Sequence, residues 1–196
     1  MPASYNPKAL LLAKLDEDDL ESLADFNCID TEESDDLRDQ SAHMNEFVKH
    51  YAIEEQNENL SVTYLVYHMG ELVSYVTLCA DSIKLSNEEK KGELLSHRES
   101  YPAIKITRIA VDARYQGQGF GELMIEFVRE HCSNFGEEIG IRFITVDSFP
   151  ARENFYKRMG FVRNEALKPH RNAGLISMRS NVFDVREDEQ AEEKDA

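Results

Sequence analysis

Gly117, Gly119 and Gly121 alternate with Gln118 and Phe120 behind Gln116, and an amphipathic run, ELMIEFV, follows at once. A helix start leaves backbone N–H groups unpaired and carries roughly half a positive charge. Glycines leading into it let an anion reach those amides with no Cβ in the way. The chemistry on offer is therefore phosphate binding by main chain. The plain alternative is a tight glycine turn with no ligand. Two familiar nucleotide loops are excluded. A dinucleotide fingerprint needs G-x-G-x-x-G, and Gly121 comes one residue too early. A Walker loop needs a Gly-Lys-Ser/Thr ending, which is absent.

The remaining reactive residue types suggest no metal site and no thiol nucleophile. Cys28, Cys79 and Cys132 are far apart, without CxxC or Cys/His clustering. That usage suits a reducing, cytoplasmic setting. His131 adjoins Cys132, but helical neighbours point in different directions, so the pair reads as a packed helix face. The longest apolar run near the start is ALLLA, between Lys8 and Lys14, too short for a signal peptide or a membrane span. No membrane association is expected.

The net charge is −16. It comes from two segments: residues 16–36 hold eleven acids and no Lys or Arg, and residues 184–196 hold seven acids and two bases. The stretch 142–179 is locally basic, with eight Lys/Arg against Asp147, Glu153 and Glu165. The acidic runs read first as solubility. They disfavour non-specific nucleic-acid binding, while the basic stretch leaves room for a small phosphate-bearing ligand.

The elements around the glycine loop follow from periodicity and punctuation. KALLLAKL (8–15) reads as a first strand. Asp16 or Asp18 caps a short helix through Ala24, and a longer helix runs from Thr31 to Ile53. Residues 61–81 form a hairpin with Gly70 at the turn, and residues 84–100 are loop-like or weakly helical. AIKITRIAVD (103–112) alternates as a strand. The loop and a helix over 119–133 follow, then a strand over 141–149. Pro150 opens a helix that Gly160 ends. GFV begins a strand, and 174–183 is the last one, available for pairing with a second subunit as a homodimer. Residues 184–196 have too few apolar side chains to fold and are expected to form a disordered acidic tail. The order implies a single α/β (α+β) domain over 1–183, a mixed sheet flanked by helices.

Gln116-Gly117-Gln118-Gly119-Phe120-Gly121 resembles the Q/R-x-x-G-x-G/A signature of the GNAT superfamily of N-acetyltransferases. IAVDARY before it is similar to that family's fourth strand and its exit. NFYKRMGF (154–161) resembles the second family signature, an aromatic-Tyr pair followed by Gly-Phe. The likeness covers roughly residues 60–183. DFNCIDTEESDDLRDQSAHMNEF further resembles the N-terminal part of the branch whose toxins acetylate aminoacyl-tRNA.

The resemblance implies a mixed, mostly antiparallel sheet whose parallel strands 4 and 5 splay apart, with acetyl-CoA as co-substrate and no metal. The pyrophosphate would lie on the amides of Gln116, Gly117, Gln118, Gly119, Phe120 and Gly121. Side chains there matter mainly by staying small or pointing away. Backbone at Ile109, Ala110 and Val111 would pair with the pantetheine arm, and the Val111 N–H would donate to the acetyl carbonyl. Tyr156 matches the tyrosine that protonates the departing thiolate. A phenol titrates near about 10 and stays protonated at neutral pH. Phe155 and Met159 would take the packing face, leaving Tyr156 facing a cleft. Two family positions differ: Phe149 stands where many members have Asn, and Arg152 where they have Ala. Arg152 either reaches a phosphate or lies on the surface.

The base stays open. Asp147, at the end of the fifth strand, is the first candidate, before His68 and Glu71. A lysine-like ammonium is neutral in only ~1 in 2,000 molecules at pH 7, so it needs help. An aminoacyl ester amine is less basic and does without. The expected reaction is direct transfer to a primary amine in a ternary complex. The acceptor is a small-molecule or protein amine, or alternatively aminoacyl-tRNA landing on the Arg142–Arg179 region, which the acidic charge disfavours. A non-catalytic acyl-CoA-binding module is the competing class.

Overall fold

The computed structural model describes residues 5–93, 95, 98–166 and 174–183. The strands are β1 (Leu10–Lys14), β2 (Val62–His68), β3 (Glu71–Ile83), β4 (Tyr101–Val111), β5 (Phe143–Ser148), β6 (Val162–Arg163) and β7 (Ile176–Asn181). The helices are α1 (Leu20–Asp25), α2 (Asp35–His50), α3 (Ala52–Asn57), α4 (Asn87–Gly92), α5 (Phe120–Ile139) and α6 (Glu153–Arg158). The strands form one mixed sheet in the order β1-β2-β3-β4-β5-β7-β6. β4 and β5 are parallel, and α5 makes the crossover that parallel neighbours require. The pairs β1–β2, β2–β3, β5–β7 and β6–β7 are antiparallel. This is the mixed, mostly antiparallel architecture expected from the resemblance.

By packing, the chain falls into two compact units, Met1–Ala80 with Ile106–Phe127, and Asp81–Lys105 with Val128–Ala196. In the first unit, β2 and β3 make a hairpin turned by Met69 and Gly70, both at positive φ. Two left-handed residues give the primed turn whose twist matches that of the strands. Thr63 and Thr77 face one another across it and share a buried hydroxyl hydrogen bond of 2.9 Å. The apolar faces of α1, α2 and α3 cover this sheet. Leu23, Phe26, Phe47, Val48 and Ala52 pack with Leu65, Leu72, Tyr75 and Ala110. The Tyr75 hydroxyl donates to the Met44 carbonyl at 2.8 Å, so the buried phenol keeps a partner.

The expected long helix over 31–53 is two helices, with Tyr51, its φ stretched to −119°, as the cap between α2 and α3. No glycine or proline marks that break.

In the second unit, Ile83, Leu85, Tyr101, Ala103 and Phe143 form one core cluster. Residues 84–100, expected to be loop-like or weakly helical, contain α4. Ser86 accepts from the Glu89 amide at 3.1 Å and the Glu89 carboxylate accepts from the Ser86 amide at 2.7 Å, a complete capping box. Glu89 also meets the buried Arg179 of β7 at 2.7 Å, and Glu93 reaches the same guanidinium at 3.3 Å. The expected tail over 184–196 lies outside the described residues.

Candidate active site

In the first unit, β4 ends at Val111, a 3-10 turn covers Ala113–Tyr115, and α5 begins at Phe120. The glycine loop occupies the gap. Gly117 and Gly119 sit at φ +72° and +97°, a region that suits glycine and strains a branched residue. A Cβ built on Gly117 meets nothing within 4 Å, so the space beside the loop is open. Among the described residues, the amides of Gln116, Gly117, Gly119, Phe120 and Gly121 donate no hydrogen bond to backbone or side chain. Leu123 is the first amide of the helix to find a backbone carbonyl, that of Gly119 at 3.0 Å. The loop thus presents partnerless donors at the positive end of a twenty-residue helix. These residues fit a diphosphate.

The Gln116 side chain does not merely point away, as the sequence reading expected. Its Nε2 donates to the Cys28 carbonyl at 2.9 Å and to the Val111 carbonyl at 3.1 Å. Gln118 likewise reaches the Arg114 carbonyl at 3.1 Å. Phe120 is buried, with the Tyr5 ring stacked on it at 4.9 Å and His68 at 5.7 Å. Ala110 is buried, while Ile109 and Val111 are half-buried.

Next to Val111, Asp112 is buried with its carboxylate fully engaged. Oδ1 accepts from the Arg114 amide at 3.0 Å and from its Nε at 2.8 Å. Oδ2 accepts from the Asn27 amide at 3.0 Å. Burial pushes the carboxyl up, but the hydrogen bonds from Arg114 and Asn27 outweigh it and hold the group below its usual range. Sequence reasoning missed this residue as a hub. The signal was an aspartate at a strand exit two residues before an arginine.

In the second unit, Tyr156 lies on α6 and is only 6% exposed. Its ring meets Phe161 at 5.5 Å and Phe155 at 5.1 Å, both edge-on. The expected packing face is corrected. Phe155 and Met159 are the partly exposed residues, because Phe161, folded back beyond Gly160, takes Tyr156 as its neighbour. Burial raises the phenol above its ordinary value, opposed by the Arg152 charge. The Tyr156 hydroxyl has no hydrogen-bond partner among the described residues.

Asp147, the first base candidate, is held by the Lys105 ammonium at 2.5 Å. An ammonium at that distance competes for the lone pair a base would use. His68 accepts from the Asn6 amide at 3.4 Å. Glu71 is not simply solvated: it accepts from the Tyr115 hydroxyl at 2.6 Å and pairs with Arg114 at 3.2 Å. Burial pushes the thiols of Cys28 and Cys132 up to about 11 and about 12, far from nucleophilic thiolates. Arg152 is exposed on its 3-10 turn, and Phe149 caps that turn.

Much of the basic stretch is already neutralised. Arg142 pairs with Glu93 at 3.6 Å, and Lys157 and Arg163 share Glu153 at 2.8 and 2.6 Å. Those two partners hold the Glu153 carboxyl down to about 2. Arg179 is buried between Glu89 and Glu93. Lys168 and Arg171 lie outside the described residues.

No helix among the described residues is long and apolar enough to cross a membrane. No curated protein matches the chain. Solved structures do. A bacterial toxin is similar at 22% identity over 88% of this chain and 90% of its own, with a TM-score of 0.70. AtaT complexed with acetyl-methionyl-tRNAfMet is similar at 18% identity over 93% and 98%, with a TM-score of 0.71. A mutant AtaT toxin bound to acetyl-CoA and the C-terminus of the antitoxin AtaR is similar at 19% identity over 88% and 93%, with a TM-score of 0.64. At these identities the likeness is one of fold. The family model described as an acetyltransferase (GNAT) domain matches residues 32–181. With the amides of Gln116, Gly117, Gly119, Phe120 and Gly121 donating to nothing among the described residues and the parallel β4–β5 pair beside them in sequence, the chain belongs to the GNAT family of acetyl-CoA-dependent acetyltransferases.

Proposed function

We propose that the protein transfers the acetyl group of acetyl-CoA directly to a primary amine, and that the acceptor is the α-amine of an aminoacyl-tRNA. The amides of Gln116, Gly117, Gly119, Phe120 and Gly121, which donate to nothing among the described residues, carry the first half of this reading. They hold the diphosphate, and the backbone from Ile109 to Val111 aligns the pantetheine arm. Acetyl-CoA supplies an activated thioester. The Val111 N–H donates to the acetyl carbonyl oxygen as negative charge grows there. Tyr156 gives its proton to the departing sulfur. Burial makes the phenol a weaker acid, yet a thiolate formed in similar apolar surroundings is raised as well, so the transfer is not penalised twice. The two buried thiols offer no acyl-enzyme route.

The choice of acceptor rests on how the first base candidate is held. Asp147 is engaged by Lys105. An α-amine titrates near about 8, so roughly one molecule in ten is already neutral at pH 7, and a strong base is unnecessary. A lysine or polyamine acceptor would depend on one. The similarity to AtaT with its acetylated tRNA, over 93% of this chain, supports the same acceptor. A second reading, a small amine or basic peptide, is favoured by the paired arginines of 142–179 and the eleven acids of 16–36. A mass-spectrometric screen with acetyl-CoA decides between them, using charged tRNA, polyamines and lysine peptides. Acetylated aminoacyl-tRNA as the main product is expected. Acetylation confined to polyamines or peptides would establish the second reading. Acetyl-CoA binding without any product would assign a non-catalytic module.

A further inference from the structure

The connection between α1 and α2 runs from Phe26 to Ser34 and has no regular structure of its own over 26–30. Its first residues are nonetheless pinned. The Asn27 amide donates to Asp112 Oδ2 at 3.0 Å, and the Ala113 amide donates back to the Asn27 carbonyl at 2.8 Å. The Cys28 carbonyl accepts from Gln116 Nε2 at 2.9 Å, and the same nitrogen donates to the Val111 carbonyl at 3.1 Å. From the other side, Asn45 on α2 donates to Asn27 Oδ1 at 2.8 Å and accepts from the Cys28 amide at 3.0 Å. Asp112 itself is fixed by its own amide, which donates to the Val73 carbonyl of β3 at 2.9 Å, and by Arg114. Arg114 is in turn held by Glu71 at 3.2 Å.

We infer that Asp112 is a positioning residue, clamping residues 26–29 to the end of β4 and to the first residue of the diphosphate loop, so that the two segments order or loosen together. The inference rests on the reading of Gln116–Gly121 as the diphosphate cradle. Its chemistry is that of a hub. One buried carboxylate collects donors from two segments 85 residues apart in sequence, and no regular ladder substitutes for it. Replacing the carboxylate by an amide turns one acceptor into a donor facing N–H groups. The amide oxygen still accepts on one side, so the clamp opens on the other. The Cys28 carbonyl that Gln116 meets is then free to shift, and the loop behind it loses that part of its preset geometry.

The test uses the full chain without ligand, then with acetyl-CoA. In Asp112→Asn, hydrogen exchange of peptides covering 26–30 and 116–121 is expected to accelerate together, while the β2–β3 hairpin keeps its protection. The Kd for acetyl-CoA is expected to rise about tenfold, as loss of hydrogen bonds to a charged group implies. Asn45→Ala removes only the α2 side of the clamp and touches nothing between Gln116 and Gly121. It is expected to loosen both segments to a smaller extent, and it decides the matter if Asp112→Asn does not fold. Faster exchange confined to 26–30 in Asn45→Ala overturns the inference. So does an Asp112→Asn protein with a lowered Tm and unchanged cofactor affinity, which is the signature of a merely structural carboxylate. The ligand-free exchange result stands apart from the cradle reading. Wild type that fails to bind acetyl-CoA removes the cradle, whereas coupled exchange would still show the clamp.

Discussion

Tyr156 is the residue on which the proposed chemistry is most exposed to refutation. Its ring is buried against Phe155 and Phe161, but its hydroxyl holds no partner among the described residues. Removing that oxygen therefore leaves no donor or acceptor stranded, and stability is expected to hold. Tyr156→Phe should keep its Tm and its acetyl-CoA affinity while turnover falls by about 10²-fold or more. Stopped turnover assays and calorimetry on the same preparation check this, and unchanged turnover removes Tyr156 from the mechanism. The tyrosine was legible because NFYKRMGF carries a family spacing. Its burial was not. The 3-10 turn at Pro150–Arg152 precedes a helix of only six residues, too short for periodicity to fix which face packs.

At the scale of elements, the firmest local construction in the second unit is α4 with its partner strand. Ser86 and Glu89 close the capping box, and Glu89 passes its charge to Arg179, also held by the Arg163 carbonyl at 3.0 Å and by Asn164 at 3.1 Å. Glu89→Gln leaves the buried guanidinium with Glu93 alone as its counter-charge, so the expected loss lies below the about 3–5 kcal/mol of a fully stranded buried charge. Denaturant midpoints for wild type and variant check it; a loss below measurement would show the network to be dispensable. Burial pushes the Glu89 carboxyl up, yet the amides of Ser86 and Glu165 and the Arg179 charge hold it below its ordinary 4.5. Its contribution is thus full above that value and drains as pH falls through the lowered one. The box was readable as Ser-x-x-Glu, but the surrounding charge hid it. The break at Tyr51 had no such marker, since tertiary packing of Phe47, Val48 and Ala52 decides where α2 yields to α3.

For the whole molecule, the succession of strands and helices was open to reading because most strands are bounded by turn residues, and the parallel β4–β5 pair was implied by the resemblance; the order β1-β2-β3-β4-β5-β7-β6 was not. The glycine loop was open too, since only main chain needs specifying there. Long-range polar links were not. Asp112 to Asn27, Cys28 to Gln116 and Arg179 to Glu89 each join residues more than 80 apart in sequence, and no local spacing reports such pairs. The basic stretch shows the same limit: Arg142, Arg163 and Arg179 count as free charge in the sequence and are paired in the fold.

The most direct measurement follows the backbone amides themselves, by recording nitrogen–proton correlation spectra of the labelled protein during titration with acetyl-CoA and with free pyrophosphate. The amides between Gln116 and Gly121 are expected to move most with both ligands, downfield as they acquire an anionic acceptor. Saturable acetyl-CoA binding that leaves those six amides in place while others shift would contradict the account.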